Sequence, residues 1–136
     1  MEKFIVWEKK YLIGINEIDE QHEKLIDLIN EFYWTFKQGR SREDINIFFK
    51  KTKDFIKIHL ELEEYYFEKF NFEFKDEHKI QHDFFRNETK KLEEKFYSGE
   101  YTVSYEFMSL LRKWFLDHIQ TSDRKYIECF KANGLM

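Results

Sequence analysis

Residues 15–36 of this chain read INEIDEQHEKLIDLINEFYWTF, and this stretch decides the fold. Its apolar side chains recur at intervals of three and four residues, which is the spacing of one face of an α-helix. The stretch therefore predicts a long helix with one buried face, capped by Asp19 and ended at Gly39. The predicted inward positions, which include one histidine, are Ile15, Ile18, His22, Leu25, Ile29, Phe32 and Phe36.

The same periodicity continues along the chain and predicts three more helices. The third is expected to begin near Glu73 and to end before Gly99. Each of the three carries histidine at inward positions, where apolar residues would be expected. These inward polar residues are His59 and Glu63 on the second helix, His78 and His82 on the third, and His118 on the fourth, which continues toward Asp123.

Four helices of comparable length with short connections predict an all-α, up-down-up-down antiparallel four-helix bundle. Residues 1–16 contain Trp7 and Tyr11 but no sustained period, so we expect an N-terminal arm that packs across the bundle. A last amphipathic turn around Phe130 predicts a short C-terminal helical segment. We expect residues 1–136 to form a single domain.

The composition favours helices and excludes several classes of partner. The chain has no proline and only 4 glycines, so long uninterrupted helices are easily formed. Its net charge of -4 is spread along the chain and leaves no basic stripe for nucleic acid. No apolar run approaches the roughly 20 residues that a membrane span requires. We therefore expect a soluble, cytoplasmic protein with no nucleic-acid or membrane partner.

Five buried histidines and two buried carboxylates would be costly without partners. A single histidine on an apolar face is more often a hydrogen-bonded core residue than a ligand. Seven such groups together, at about 1–3 kcal/mol each, would remove much of a domain's stability. Imidazole suits zinc, copper and iron, and seven ligands are too many for one ion. The residues favour two ions that share Glu63 and Asp123 as bridges.

The spacing of the last two candidate ligands requires an irregular helix. Asp123 follows His118 by five residues, and five residues of ideal helix turn about 500°, which leaves the two side chains some 140° apart. For both to face the same site, the helix must be distorted. We therefore expect a π-type bulge between His118 and Asp123, a feature frequent at functional sites.

These motifs together resemble the hemerythrins, and among them the single-domain bacteriohemerythrins. The resemblance covers nearly the whole chain, and the combination is highly specific, whereas a lone His-x-x-x-His would be weak evidence. The motifs are Trp7 with Tyr11-x-x-Gly14-Ile15, Ile18-Asp19-x-Gln21-His22, His59-x-x-x-Glu63-Glu64, His78-x-x-x-His82-x-Phe84, and Trp114-x-x-x-His118-Ile119-x-x-x-Asp123.

The resemblance implies an oxo- or hydroxo-bridged di-iron centre that binds dioxygen reversibly, for carriage, storage, scavenging or sensing. It implies that dioxygen binds at the iron with two histidines. It also makes an electron donor a candidate partner, and we expect a monomer. The implied ligands are His78, His82 and His118 on one iron, His22 and His59 on the other, and Glu63 and Asp123 as bridges.

One departure from the family falls beside the oxygen pocket, which we expect to be walled by Trp114, Phe115 and Phe55. Phe115 replaces the leucine that commonly follows the tryptophan. Adjacent helical positions point about 100° apart, so the residues alone leave open whether Phe115 faces the pocket, the interhelix core or the surface.

Two other functional classes remain possible from the residues. An oxidase, a peroxidase or a nitric oxide reductase could use the same centre. Ferritin-like di-iron enzymes, however, carry Glu-x-x-His pairs and four carboxylates, so five histidines and two carboxylates favour oxygen binding over activation. An interaction module with a structural metal is disfavoured because we find no additional domain.

Overall fold

The structure, a computed structural model, describes residues 3–39, 42–99 and 103–136. Its helices confirm the predicted bundle, and no strand occurs in the described part of the chain. Contacts join α1 to α2, α2 to α3, α3 to α4 and α4 back to α1, which closes the ring of a four-helix bundle. The long helices are α1 Asn16–Lys37, α2 Arg42–Lys69, α3 Lys75–Tyr97 and α4 Val103–Lys113.

The end of the chain departs from regular α-helix before it becomes helical again. After α4 the backbone continues as a π-helix at Trp114–Ser122 and a 3-10 turn at Asp123–Tyr126, and it ends with α5, Ile127–Ala132. This confirms both the expected π-type distortion and the C-terminal helical segment. None of the described helices is long and apolar enough to cross a membrane.

The predicted cap of α1 was wrong, although the predicted end was right. The helix begins at Asn16, and Asp19 lies inside it. The Asp19 carboxylate instead accepts hydrogen bonds from the backbone N–H groups of Ile13 at 2.8 Å and Gly14 at 3.0 Å, so it holds the arm against the helix. Gly39 follows the helix end with a φ of 65°, a left-handed conformation that glycine adopts without strain.

Two apolar clusters lie at different levels of the bundle. The larger contains Leu25 of α1, Leu60 of α2 and Phe85 of α3. The smaller contains Ile18 of α1 and Phe67 of α2. Along the chain the inward polar residues fall between members of the two clusters, as His22 falls between Ile18 and Leu25. The polar side chains therefore form one layer with apolar packing above and below it.

The N-terminal arm is fixed to α1 by a buried amide. The Oδ1 atom of Asn30 accepts hydrogen bonds from the backbone N–H groups of Phe4 at 2.8 Å and Ile5 at 2.9 Å. Its Nδ2 group donates to the Ile5 carbonyl at 2.8 Å. Because both polar atoms of the amide have hydrogen-bond partners, Asn30 can lie buried in the bundle. The same bonds hold the arm that carries Tyr11 in position.

We predict that Asn30→Ala lowers the free energy of unfolding by about 1–3 kcal/mol, because it leaves buried backbone groups of the arm without partners. Asn87→Ala is the matched control, since Asn87 is exposed in the interior of α3 and the change in helix propensity is the same. Urea titration of both variants in the same metal state checks this. Equal losses in the two variants would contradict it.

Candidate metal centre

The structure brings all seven candidate ligands into the polar layer between the apolar clusters. Every one is buried, and the most exposed, His118, has only 6% of its surface accessible. The ligand atoms of six of them, all but Glu63, form two groups, within each of which all atoms lie within 4.8 Å of one another. The three-histidine group is His78, His82 and His118 with Asp123, and the two-histidine group is His22 and His59 with Asp123.

Each carboxylate faces both histidine groups. The Oδ1 atom of Asp123 lies 2.8 Å from Nε2 of His78 and 3.1 Å from Nε2 of His118. Its Oδ2 atom lies 3.5 Å from Nε2 of His22. Asp123 therefore directs one oxygen to each group.

Glu63 occupies the corresponding position on α2. Its Oε1 atom lies 3.0 Å from Nε2 of His59, in the two-histidine group. The same oxygen lies 3.7 Å from Nε2 of His82, in the three-histidine group. Glu63 on α2 and Asp123 after the π-helix thus each face both groups, although they lie far apart in the sequence.

The π-helix is what brings Asp123 to the same side as His118. The backbone N–H of Asp123 donates to the carbonyl of His118, five residues earlier, where an α-helix would use four. The extra residue in this turn removes most of the angular offset that five α-helical residues would create. The local backbone therefore supplies both ligands from one helix.

Many of these polar atoms have no hydrogen-bond partner in the protein, which tests whether the residues fit a metal. The buried atoms without a partner include both ring nitrogens of His22, both oxygens of Glu63, and Oδ2 of Asp123. The Nε2 atoms of His59, His82 and His118 are also without one. Buried polar groups left in this state cost about 1–3 kcal/mol each. Metal ions would satisfy this donor set, because imidazole nitrogens and carboxylate oxygens are transition-metal ligands.

Hydrogen bonds at Nδ1 orient the rings of two histidines so that their Nε2 atoms face the polar layer. Nδ1 of His59 lies 2.6 Å from Oε1 of Gln21, and Nδ1 of His82 lies 2.8 Å from Oε2 of Glu64. When Nδ1–H donates to such an acceptor, Nε2 carries the free lone pair. Both rings therefore present an unprotonated Nε2 to the centre of the bundle.

Glu64 is itself held by a surface arginine. Arg86 donates to its two oxygens at 2.8 and 2.9 Å, a bidentate pair. Burial alone raises the pKa of Glu64, but the hydrogen bonds from His82 and Arg86 lower it to about 2. Glu64 therefore stays ionised and keeps the His82 ring in place.

The two inner carboxylates are also ionised. Burial and the charge of Asp123 raise the pKa of Glu63, yet His59 and His82 bring it below its usual value. Burial raises the pKa of Asp123 too, and the histidines that face it, His118, His22 and His78, hold it well below its usual value. Two negative charges in a dry layer require cations, since an uncompensated buried charge is costly.

The three aromatic residues expected around the oxygen pocket are in different places. Phe115 is completely buried, with its ring 6.3 Å from that of His22, in the two-histidine group. Trp114 stacks on His118 at 3.8 Å, in the three-histidine group. Phe55 is half-buried, with Lys24 Nζ 5.6 Å from its ring.

Sequence reasoning missed one polar residue of this layer. The hydroxyl of Tyr126 is buried without a hydrogen-bond partner. Burial raises its pKa well above the usual value, and the charges of Asp123 and Glu63 raise it further. The sequence could have indicated Tyr126 by its position three residues after Asp123, which is about one helical turn further along the chain.

Comparison with known proteins agrees with this geometry. A family model described as the hemerythrin HHE cation binding domain matches residues 13–130. A bacteriohemerythrin of Pseudomonas aeruginosa is 28% identical over 127 residues, covering 93% of this chain and 82% of that protein. A hemerythrin-like protein of Naegleria gruberi is 32% identical over 120 residues, covering 88% of each.

Solved structures agree as well. The crystal structure of wild-type hemerythrin has a TM-score of 0.86 at 25% identity and covers 93% of this chain and 97% of that one. The crystal structure of an alanine mutant of hemerythrin at a leucine position has a TM-score of 0.87 at 25% identity and covers 94% of this chain and 98% of that one.

We predict that metal removal strongly destabilises the protein and that acid has the same effect. A metal bound only to the folded state at about 100 times its Kd adds about 2.7 kcal/mol. Ligating imidazoles must be neutral, so protons compete as the pH falls toward about 6.5 and below. For His59, burial lowers the pKa but the Glu63 and Asp123 charges raise it overall, so competition there begins at higher pH.

Melting temperatures of metal-loaded and chelator-treated protein between neutral and acidic pH check this prediction. The loaded form should melt higher at neutral pH, and the difference should vanish as the pH falls. Identical melting temperatures at neutral pH would refute it.

Proposed function

This chain belongs to the hemerythrin family, and from that premise we propose that it holds two iron ions and binds dioxygen reversibly. The observation that carries the proposal is that Glu63 and Asp123 each face both histidine groups, at 2.8 to 3.7 Å. Carboxylates so placed can bridge two ions. A single ion could not use all seven buried donors.

The two histidine groups assign the ligands. We place one ion at His78, His82 and His118 and the other at His22 and His59. Glu63 and Asp123 contribute to both. The two-histidine group offers one donor fewer, so it is the group with room for dioxygen. When bound, a ferrous pair supplies the two electrons that a reversible bond to dioxygen requires.

The surrounding residues exclude water and protons from the two-histidine group. Phe115 lies beside His22, and the Tyr11 ring meets Phe115 at 5.0 Å, edge to face. Both are buried. An apolar wall of this kind slows the entry of water that would otherwise displace a bound ligand.

The protonation states favour binding over turnover. Glu63 and Asp123 are ionised, and Tyr126 keeps its proton at Oη because its pKa is raised well above the usual value by burial and by both carboxylates. A general acid works best with a pKa near the operating pH. These three groups therefore offer no acid poised for repeated proton delivery, and we propose oxygen carriage, storage, scavenging or sensing rather than catalysis.

The proposal is tested by anaerobic reconstitution with ferrous iron. We expect two irons per chain, an optical change on exposure to air, and its reversal under argon. One iron per chain, or two zinc ions after growth with ample iron, would overturn the di-iron assignment. An optical change that argon does not reverse would favour an oxidase.

Matched variants on α2 provide the control. Glu63→Ala removes a proposed bridge and should lower the iron content below two per chain. Glu61→Ala changes an exposed glutamate on the same helix and should leave the content at two. The same iron content in both variants would show that Glu63 is not a bridging ligand.

We predict that Phe115 sets the lifetime of the oxygenated form. Phe115→Ala leaves a cavity beside His22, which costs about 3–5 kcal/mol of stability and admits water. The oxygenated form should therefore decay to the ferric form fastest in Phe115→Ala, more slowly in Phe115→Leu and slowest in the wild type. Phe74→Ala, an exposed position, is the control. Equal decay rates in all variants would show that Phe115 does not line the oxygen pocket.

A further inference from the structure

A cavity of about 700 Å³ lies between α3 and the helix formed by α4 and the π segment. Its size falls within the roughly 300–1,000 Å³ typical of small-molecule sites. Its wall is mainly apolar and aromatic, and it reaches the outer edge of the three-histidine group. The residues that matter here are Ile80, Gln81, Phe84, Lys113, Trp114 and His118.

The cavity is connected to the metal centre by stacked rings. Trp114, which is half-buried, lies between Phe85 at 4.2 Å and His118 at 3.8 Å, nearly parallel to both. His118 Nε2 in turn lies 3.1 Å from Asp123 Oδ1. A molecule in the cavity can therefore contact both Trp114 and the ring of His118, a proposed iron ligand of the three-histidine group.

The wall shows which kind of molecule fits. Ile80 and Phe84 are 70% and 63% exposed, and with Trp114 they form a surface suited to a flat conjugated ring. Gln81 also lines the cavity, and its Oε1 atom is buried without a hydrogen-bond partner. If this half-buried side chain rotates and exposes Oε1, a ligand with a ring N–H or O–H group would supply the missing donor.

The charges at the rim favour an uncharged ligand. Lys113 and Asp117 lie four residues apart with opposite charges, and Glu88 pairs with Lys91 at 3.3 Å. No excess positive charge is left to hold a phosphate. Planar carriers that bear phosphates should therefore bind less well than uncharged ones.

We propose that this cavity binds an uncharged planar two-electron carrier, such as a flavin or a quinol, that reduces the metal centre through Trp114 and His118. The proposal rests on the di-iron function proposed above. In its hydroquinone form one carrier gives one electron to each of two ferric ions, releases two protons to solvent, and leaves as the oxidised ring. The cavity would thus return oxidised protein to the form that binds dioxygen.

Equilibrium binding of oxidised riboflavin to the iron-loaded protein tests the site without relying on turnover. We expect flavin fluorescence to be quenched on binding, with riboflavin held more tightly than flavin mononucleotide. Ile80→Ser should weaken binding about tenfold, which corresponds to about 1.4 kcal/mol. Gln81→Leu should weaken the binding of riboflavin but not that of menadione, which has no hydrogen-bond donor. The comparison of the two ligands therefore distinguishes a flavin site from a quinone site. Ile47→Ser, at a 56% exposed position on α2, should bind like the wild type.

Reduction of the ferric protein supplies the second readout. Ile80→Ser should be reduced about tenfold more slowly than Ile47→Ser by reduced riboflavin or menadiol, yet equally fast by dithionite, which needs no site. If riboflavin does not bind, or if Ile80→Ser and Ile47→Ser change binding and reduction equally, the proposal is overturned even when the iron content is two per chain. Loss of two-iron content would instead count against the di-iron function. A dimer that Ile80→Ser dissociates would show that this face contacts a second copy, and would also overturn the proposal.

Discussion

An ionised carboxylate in an apolar core costs several kcal/mol unless a cation or hydrogen bonds offset that cost. Asp123 and Glu63 are both ionised and buried, and they lie in a layer closed by apolar clusters on both sides. Of the surrounding histidines, His78 offsets part of this charge through its hydrogen bond with Asp123 Oδ1. Bound metal ions would offset the rest, so the stability of the bundle and the capacity to bind metal would depend on the same pair of charges.

The surroundings of the two histidine groups differ, and we propose that the difference separates two tasks. At His22 the wall is a buried phenylalanine, Phe115, in edge-to-face contact with Tyr11. At His118 the wall is Trp114, which borders a cavity open to solvent. A dry side protects a bound gas from protons, whereas an aromatic, accessible side suits the exchange of electrons. One centre can therefore serve both purposes without a conflict over water.

Helix periodicity was sufficient to predict the bundle, the layer of histidines and even the π segment, because each is a consequence of angular position along a single helix. Periodicity along one helix could not predict contacts between helices. Asp19 looked like a cap, yet it binds the N–H groups of Ile13 and Gly14, since the arm folds back over the helix start. The placement of Trp114 beside His118, and of the Tyr126 hydroxyl near Glu63, likewise depends on how neighbouring helices pack.

The π segment has a second effect, which follows from the same extra residue. In a regular α-helix the residue four positions after His118 would share its face, and that residue is Ser122. The wider turn instead brings Asp123 inward, where it faces both histidine groups, and Ser122 lines the outer cavity. A serine at the inner position could not supply a charge or two bridging oxygens. The distortion therefore places an acidic side chain between the two histidine groups and leaves a small polar residue in the cavity wall.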